Sequence, residues 1–570
     1  MSSKLYSFLF ILTCFVFQFS IAQNGTTGET IARSNIAALT ENKLKTAIQK
    51  VYPASVYITT HEILGGSTTG MSACGVCVSK DGIIMTAGHM TIPNGKYEIL
   101  FPDGRKVPAL GLGMIGKLDA GLLKITKEDV YPFAEMGNSS SLVNGELCFS
   151  LSHPGSFRDK KVARVGYITS VNNDLQGDVR TNHILSSCVM EPGDSGGPLF
   201  DVEGKVIGTR SYIGLSVDEN YDVPVDVFKT FWNSLMNPES YARIPVADSI
   251  IGFNNSNNEN EILKSELESS IQEYEKELGR FCVEILSEGK PVLGTLVNPK
   301  GITTASKFSN STFIITKASE LGNKIKARID GKLLEAKMIY QDDSLDLALL
   351  SIQKKMRHSV SPKDINTDSL SLQQPGKIII SAMPNGKGLY NLVGTTPFQL
   401  SAFYYVGYLG LKLEKQENQN IIATIQPNSA AEKSGLKSGE LLTAINGSII
   451  ENPQDFIGEL KNKKPGEVIS IVRTNKSIKD TLHIKLGQRP FTGNNHISEK
   501  FSAGRSERRD GFEQVFIQNI DLKPSECGSP VFDLNKKLVA INIARYSRVG
   551  TLAIPGNKVL EFLKAAIAQP

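Results

Sequence analysis

The chain has 570 residues, a formal net charge of +4 and seven cysteines. That length accommodates three or four domains. The near-balanced charge, with no basic run, excludes a nucleic-acid partner, and so few cysteines exclude a disulfide-built scaffold.

Residues 1–22 read as a cleaved secretory signal. Lys4 gives a positive start, residues 5–19 are almost all apolar, and Ser20-Ile21-Ala22 places small residues where a signal peptidase cuts. The apolar stretch is shorter than the roughly 20 residues a membrane span requires, so no membrane anchor is expected. Cys74 and Cys77 have the spacing of a metal or redox pair. They lie in the apolar run Ala73-Cys-Gly-Val-Cys-Val78 with no second pair or histidine cluster. Buried small hydrophobes are expected there, and no metal or cofactor.

Residues 41–50 read as a short helix. Short β-like runs follow (VYITT, GVCVS, IIMTA, GLLKI, VGYITSV), separated by Asp-Gly and Pro-Gly turns, the pattern of an all-β barrel or sandwich pair over residues 38–243. Residues 244–279 form a polar linker and then a helix, with Leu263, Leu267, Ile271, Tyr274 and Leu278 on one stripe.

The β pattern then returns as a degenerate copy of the first unit. Ile83-Ile-Met-Thr-Ala-Gly-His-Met90 aligns with Phe313-Ile-Ile-Thr-Lys-Ala-Ser-Glu320, and Leu118-Asp-Ala-Gly-Leu-Leu123 with Leu345-Asp-Leu-Ala-Leu-Leu350. Pro192-Gly-Asp-Ser-Gly-Gly-Pro198 aligns with Pro524-Ser-Glu-Cys-Gly-Ser-Pro530, and Asp103 precedes Asp119 by the same 16 residues that separate Asp330 from Asp346. The copy occupies residues 280–401 and 489–570. Between them, residues 402–488 contain the loop Tyr408-Leu409-Gly410-Leu411 and the hairpin turn Asn446-Gly447. This segment resembles a PDZ domain of the kind found in bacterial proteases, in which a glycine loop captures a peptide's C-terminal carboxylate.

Serine becomes a nucleophile only with an imidazole to take its proton, a carboxylate to orient that imidazole and donors for the developing oxyanion. The first unit offers His89, Asp119 and Ser195 in that order, with Asp103 as a rival carboxylate that reads instead as a hairpin turn. Glycines around Ser195 let the amides of Gly193 and Ser195 face one point.

With these residues in place, residues 40–240 resemble the chymotrypsin-fold catalytic domain of the Deg/HtrA family. The resemblance implies a mostly β chain: two chymotrypsin-like double β-barrel domains plus a PDZ-like α+β domain. It implies His89 as general base, Asp119 as its orienter, Ser195 as nucleophile, and Gly193 with Ser195 as oxyanion amides. It also implies that Arg210, Ser211 and Tyr212 form the strand that substrate pairs with. Asp194 departs from the family, which more often has Asn there, and a PDZ segment inside a second barrel is an unusual layout.

In the copy, Ser319 stands where the base should be, Cys527 where the nucleophile should be, and only Asp346 survives. His358, His483 and His496 fall in connecting stretches or in the PDZ-like segment, so no imidazole partner for Cys527 is expected, and the copy reads as a rigid platform. The expected activity is a secreted serine endopeptidase acting on unfolded or exported proteins, periplasmic or else extracellular, with peptide C-termini bound at the PDZ-like segment. The alternative is a chaperone-like or scaffold pseudoprotease. Family members trimerise through N-terminal segments that differ widely, which leaves a homo-oligomer open.

Overall fold

The computed structural model describes residues 36–60, 71–173, 182–248, 262–303, 308–368, 372–384, 386, 388–475, 478–490, 496–501 and 504–568. The expected signal at residues 1–22 lies outside them, as does much of the polar linker. Residues 36–51 form the first helix.

Six strands close the first barrel: β1 (Ser55–Thr60), β2 (Met71–Cys77), β3 (Ile83–Ala87), β4 (Lys96–Leu100), β5 (Lys106–Ile115) and β6 (Ala120–Ile125), with β5 pairing both β4 and β6. A second closed barrel runs β10-β11-β12-β9-β8-β7, from β7 (Leu147–Ser152), β8 (Val162–Asn173), β9 (Asn182–Ser186), β10 (Pro198–Phe200), β11 (Val206–Ile213) and β12 (Asn220–Pro224). β3 and β6 are apolar on both faces because both faces are covered. Ile84, Leu123 and Ile125 fill the first barrel, while Met85 and Leu122 alternate outward into a core shared with the second.

The copy repeats this order. Its first sheet runs 332–335, 325–329, 282–287, 290–297, 312–317, 347–352 and 337–342. The counterpart of β5 is therefore broken at Ala336, one piece at each end of the order. Ile314 and Leu350 face one cluster while Phe313 and Leu349 face the shared core, the alternation of the first copy. The second sheet places Ile378–Ser381, Pro530–Asp533, Leu538–Arg545 and Thr551–Pro555 where the first copy has β7, β10, β11 and β12.

The PDZ-like unit is inserted between Phe398–Leu400 and Phe512–Gln518, the hairpin that corresponds to β8 and β9. Its sheet packs on the helix Pro453–Leu460 around its own cluster, including Leu409, Ile422, Phe456 and Ile469. Entry and exit strands, Gly407–Tyr408 and Gly487–Gln488, pair with each other. The Asp510 carboxylate, from the barrel, accepts the amides of Phe403, Tyr404 and Tyr405 at 2.9, 2.6 and 2.9 Å just before the entry.

The chain is thus mostly β, with two chymotrypsin-like double barrels and an α+β PDZ unit. The helix Lys264–Leu278 buries Leu267, Ile271 and Leu278 in the core common to both copies. The copies are also joined by a Tyr167–Tyr390 hydroxyl contact and by the Ala163 amide donating to the Gly394 carbonyl at 2.8 Å. All six cysteines among the described residues are buried, and none is in a disulfide.

Candidate active site

β3 ends in the turn Gly88–Met90, which carries His89. The turn Gly116–Leu118 before β6 ends at Asp119, in left-handed conformation with φ 52°. Aspartate tolerates that region better than most residues, and the kink turns both its backbone and its carboxylate toward His89. The Asp119 carbonyl accepts the Gly88 amide at 2.8 Å, and Oδ1 accepts the His89 amide at 2.8 Å. Its two oxygens lie 3.0 and 3.1 Å from His89 Nδ1, and the Ser211 hydroxyl donates to Oδ2. With Nδ1–H given to the carboxylate, Nε2 keeps the lone pair. Burial works against a charged ring, but the Asp119 hydrogen bond and charge outweigh it and raise the His89 pKa.

Ser195 lines the same cleft of about 680 Å³ as His89, Asp119 and Gly193. Among the described residues no hydrogen bond joins Ser195 to His89; such pairs commonly close only when substrate docks. Asp103 is exposed at the β4–β5 turn, where it accepts from the amide and guanidinium of Arg105.

The Pro192 carbonyl accepts the Gly155 amide at 2.7 Å. In a trans peptide the carbonyl and amide point opposite ways, so this bond turns the Gly193 N–H outward. Gly193 holds φ 102°, and its carbonyl accepts the Cys74 thiol at 3.2 Å. Neither the Gly193 nor the Ser195 amide donates to a protein acceptor among the described residues.

Asp194, between those two amides, is fully buried and paired with Arg164. The guanidinium grips both carboxylate oxygens at 2.6 Å, while the Ser152 hydroxyl and the Glu191 amide donate to them at 2.8 and 2.9 Å. Burial alone would raise the Asp194 pKa; the Arg164 charge and bonds hold it below its usual value. The sequence singles out Asp194 but not its partner, because nothing local marks one arginine among many as buried.

Arg210 must be corrected. Its amide donates to Gly197 and its carbonyl accepts from Gly196, both at 2.8 Å, and its buried guanidinium pairs with Asp222 at 3.4 Å. It cannot offer a backbone edge to substrate. Ser211, Tyr212 and Ile213, one residue further on, line the cleft with Met190, Glu191 and Pro192. His496 and Ile497 from the copy also line it, although His496 reads in the sequence as part of a connecting stretch.

A trypsin-like peptidase domain model matches residues 73–208, and a PDZ domain model matches residues 407–486. A DegP-like periplasmic serine endoprotease of Chlamydia pneumoniae is 21% identical over 420 residues, 71% of this chain and 74% of that one. One from Halomonas elongata is 33% identical over 177 residues, 30% of this chain and 36% of that one. The chain is a Deg/HtrA-like serine protease with a PDZ domain. Among solved structures, the HtrA-type protease AlgW with a tripeptide aligns at 14% identity and TM-score 0.30, covering 78% of this chain and 97% of that one. A serine endoprotease from Yersinia pestis aligns at 12% and 0.29, covering 79% and 98%.

The protease's second copy keeps the backbone of the site. Asp346 has φ 57°, its carbonyl accepts the Ala318 amide at 2.8 Å, and Oδ1 accepts the Ser319 amide at 2.8 Å. The carboxylate is spent differently. Lys317 Nζ lies 2.5 Å from Oδ2, Arg508 lies 3.4 Å from Oδ1, and the Ser319 hydroxyl donates at 2.9 Å. Cys527 is buried against Ser506 at 3.8 Å, and burial pushes its thiol up to about 11.

In the PDZ unit, Gly410 has φ 79°, and a Cβ there would lie 2.3 Å from Ser429 Cβ. Tyr408, Leu409, Gly410 and Leu411 border a groove of about 270 Å³ against Phe456, Ile457 and Leu460, with Phe403 and Arg489 at its edge.

Arg164→Met leaves the Asp194 charge buried without a partner and is expected to cost about 3–5 kcal/mol. Denaturant melts check this. Arg164→Met/Asp194→Asn should recover part of the loss, and a single-variant change below about 1 kcal/mol contradicts the assignment.

Proposed function

We propose that the protease is a periplasmic, ATP-independent endopeptidase that cleaves unfolded or exported proteins at Ser195. The observation that carries this is the Asp119-clamped His89 sharing one cleft with Ser195 and two undonated amides. His89 Nε2 takes the Ser195 proton as Oγ attacks the substrate carbonyl, and the oxyanion forms between the Gly193 and Ser195 amides. Collapse breaks the C–N bond, the amine leaves with the proton from His89, and water then hydrolyses the acyl-enzyme by the same route. Substrate adds a strand along residues 211–213. The periplasmic location rests on the names of the relatives; no helix among the described residues is long and apolar enough to cross a membrane.

The second copy is catalytically silent in this reading. A Lys317-neutralised carboxylate orients no imidazole, and a buried neutral thiol is a poor nucleophile. The PDZ groove takes an apolar C-terminal residue, its carboxylate at the Gly410 loop.

Purified protein should hydrolyse casein and take a fluorophosphonate label at Ser195. Ser195→Ala should lower the rate roughly 10⁶-fold, to background. Casein hydrolysis unaffected by that change would sink the proposal, and full biological function in Ser195→Ala would favour the scaffold reading.

The pH profile follows from His89. Only neutral imidazole accepts the serine proton, and its pKa is raised, so kcat/KM should fall on acidification through a pKa above 6.5. A rate flat between pH 5 and 8 would contradict that role.

A dye-labelled peptide with a free apolar C-terminus should bind in an anisotropy assay, and Gly410→Val should weaken it at least about 10-fold. Equal binding of the C-terminally amidated peptide would rule out carboxylate capture.

A further inference from the structure

The oxyanion peptide of the first copy is fastened by a turn outside its own loop. Gly155–Phe157 follows β7 and makes two bonds to the residues just before Gly193. The Gly155 amide donates to the Pro192 carbonyl at 2.7 Å, and the Ser156 amide donates to Glu191 Oε1 at 2.7 Å. The first bond directs the Gly193 N–H into the cleft, so the position of this turn sets the aim of an oxyanion donor.

The turn is held from the second copy. Phe157 is 3% exposed, and its ring packs on Tyr546 at a centroid distance of 4.5 Å. Gly550 lies against the ring edge, where a Cβ would come within 2.7 Å of Phe157 Cε2. Lys160, whose amide closes the turn on the Phe157 carbonyl at 2.8 Å, lies over the Phe398 ring at 5.1 Å. Tyr546, Gly550 and Phe398 all belong to the copy.

The supporting loop, residues 546–550, is itself internally hydrogen-bonded. The Tyr546 amide donates to the Gly550 carbonyl at 2.9 Å, and Arg545 donates to the Arg548 carbonyl at 2.7 Å. The buried Arg548 guanidinium reaches across to the Ser216 carbonyl, in the segment that follows β11. One loop of the copy thus touches both the turn behind Gly193 and the segment that follows the strand lining the cleft. That loop follows Leu538–Arg545, the counterpart of β11.

We propose that the silent copy positions the oxyanion peptide of the active one: Tyr546 and Gly550 seat Phe157, whose turn orients Pro192 and thereby the Gly193 amide. Tyr546 and Phe157 are positioning residues and touch no substrate. The inference rests on the reading of Ser195 as nucleophile.

The test uses the full chain, a quenched fluorogenic casein peptide and a fluorophosphonate probe. Tyr546→Ala removes the ring, and Gly550→Ala pushes Phe157 out of place without removing anything. Either should lower kcat about 10- to 100-fold with KM within about twofold, and slow Ser195 labelling in proportion. Tyr546→Phe, which keeps the ring, should match wild type. Gly550→Ala carries the test if Tyr546→Ala does not fold. Folded variants with wild-type kcat and labelling overturn the inference even if their melting temperature falls. A wild type that takes no label at Ser195 overturns the nucleophile assignment instead, and this inference with it.

Discussion

An aspartate in left-handed conformation at the head of a barrel strand is the constraint on which both halves of this chain are built. At Asp119 and at Asp346 the kink lets one residue accept two amides from the turn that follows the neighbouring strand, one through its carbonyl and one through Oδ1. This ties the loop after one strand to the start of another and fixes where the next side chain stands. In the first copy that side chain is His89. In the second it is Ser319, and Lys317, Arg508 and the Ser319 hydroxyl share the rest of the carboxylate. The same clamp therefore persists with or without a histidine, because it ties the barrel together as well as holding the ring.

Buried charge follows a similar logic. Arg164–Asp194, Arg210–Asp222 and Lys317–Asp346 all lie fully out of solvent. Such pairs contribute little net stability over apolar residues, yet neither partner tolerates loss of the other. Stability itself comes from the shared apolar core, to which strands from both copies contribute alternate residues. The pairs instead impose geometry. Asp194, gripped by a planar guanidinium, holds the backbone between the Gly193 and Ser195 amides.

Much of this could be read from the residues. Turn dipeptides and short apolar runs identify the strands because Asp-Gly and Pro-Gly favour tight turns, glycine by admitting positive φ and proline by fixing its own. The spacing of Asp103 and Asp119, matched by Asp330 and Asp346, exposes the repeat because the same length of chain spans the hairpin turn and the clamp in each copy. His89, Asp119, Gly193 and Ser195 come together in one cleft, as their order implies. Contacts between distant segments leave no such mark. Nothing near Arg164 announces Asp194 as its partner, and nothing near Ser211 announces that its hydroxyl meets Asp119. Arg210 has no free backbone edge to offer because Gly196 and Gly197, in the loop before β10, carry the pairing one residue past the strand itself. The hairpin that carries the PDZ unit became visible only once strand order was known.

That insertion has a mechanical consequence. A domain appended to a chain terminus hangs from one tether and can explore a wide cone. Here the two connections leave side by side, zipped together at Gly407–Tyr408 and Gly487–Gln488, and the incoming one is anchored by three amides on Asp510. Such an attachment restrains twist of the unit more than a single tether would. It is also redundant: a single cut in either strap leaves the unit fastened by the other, a useful property in a molecule whose own chemistry is the cutting of chains.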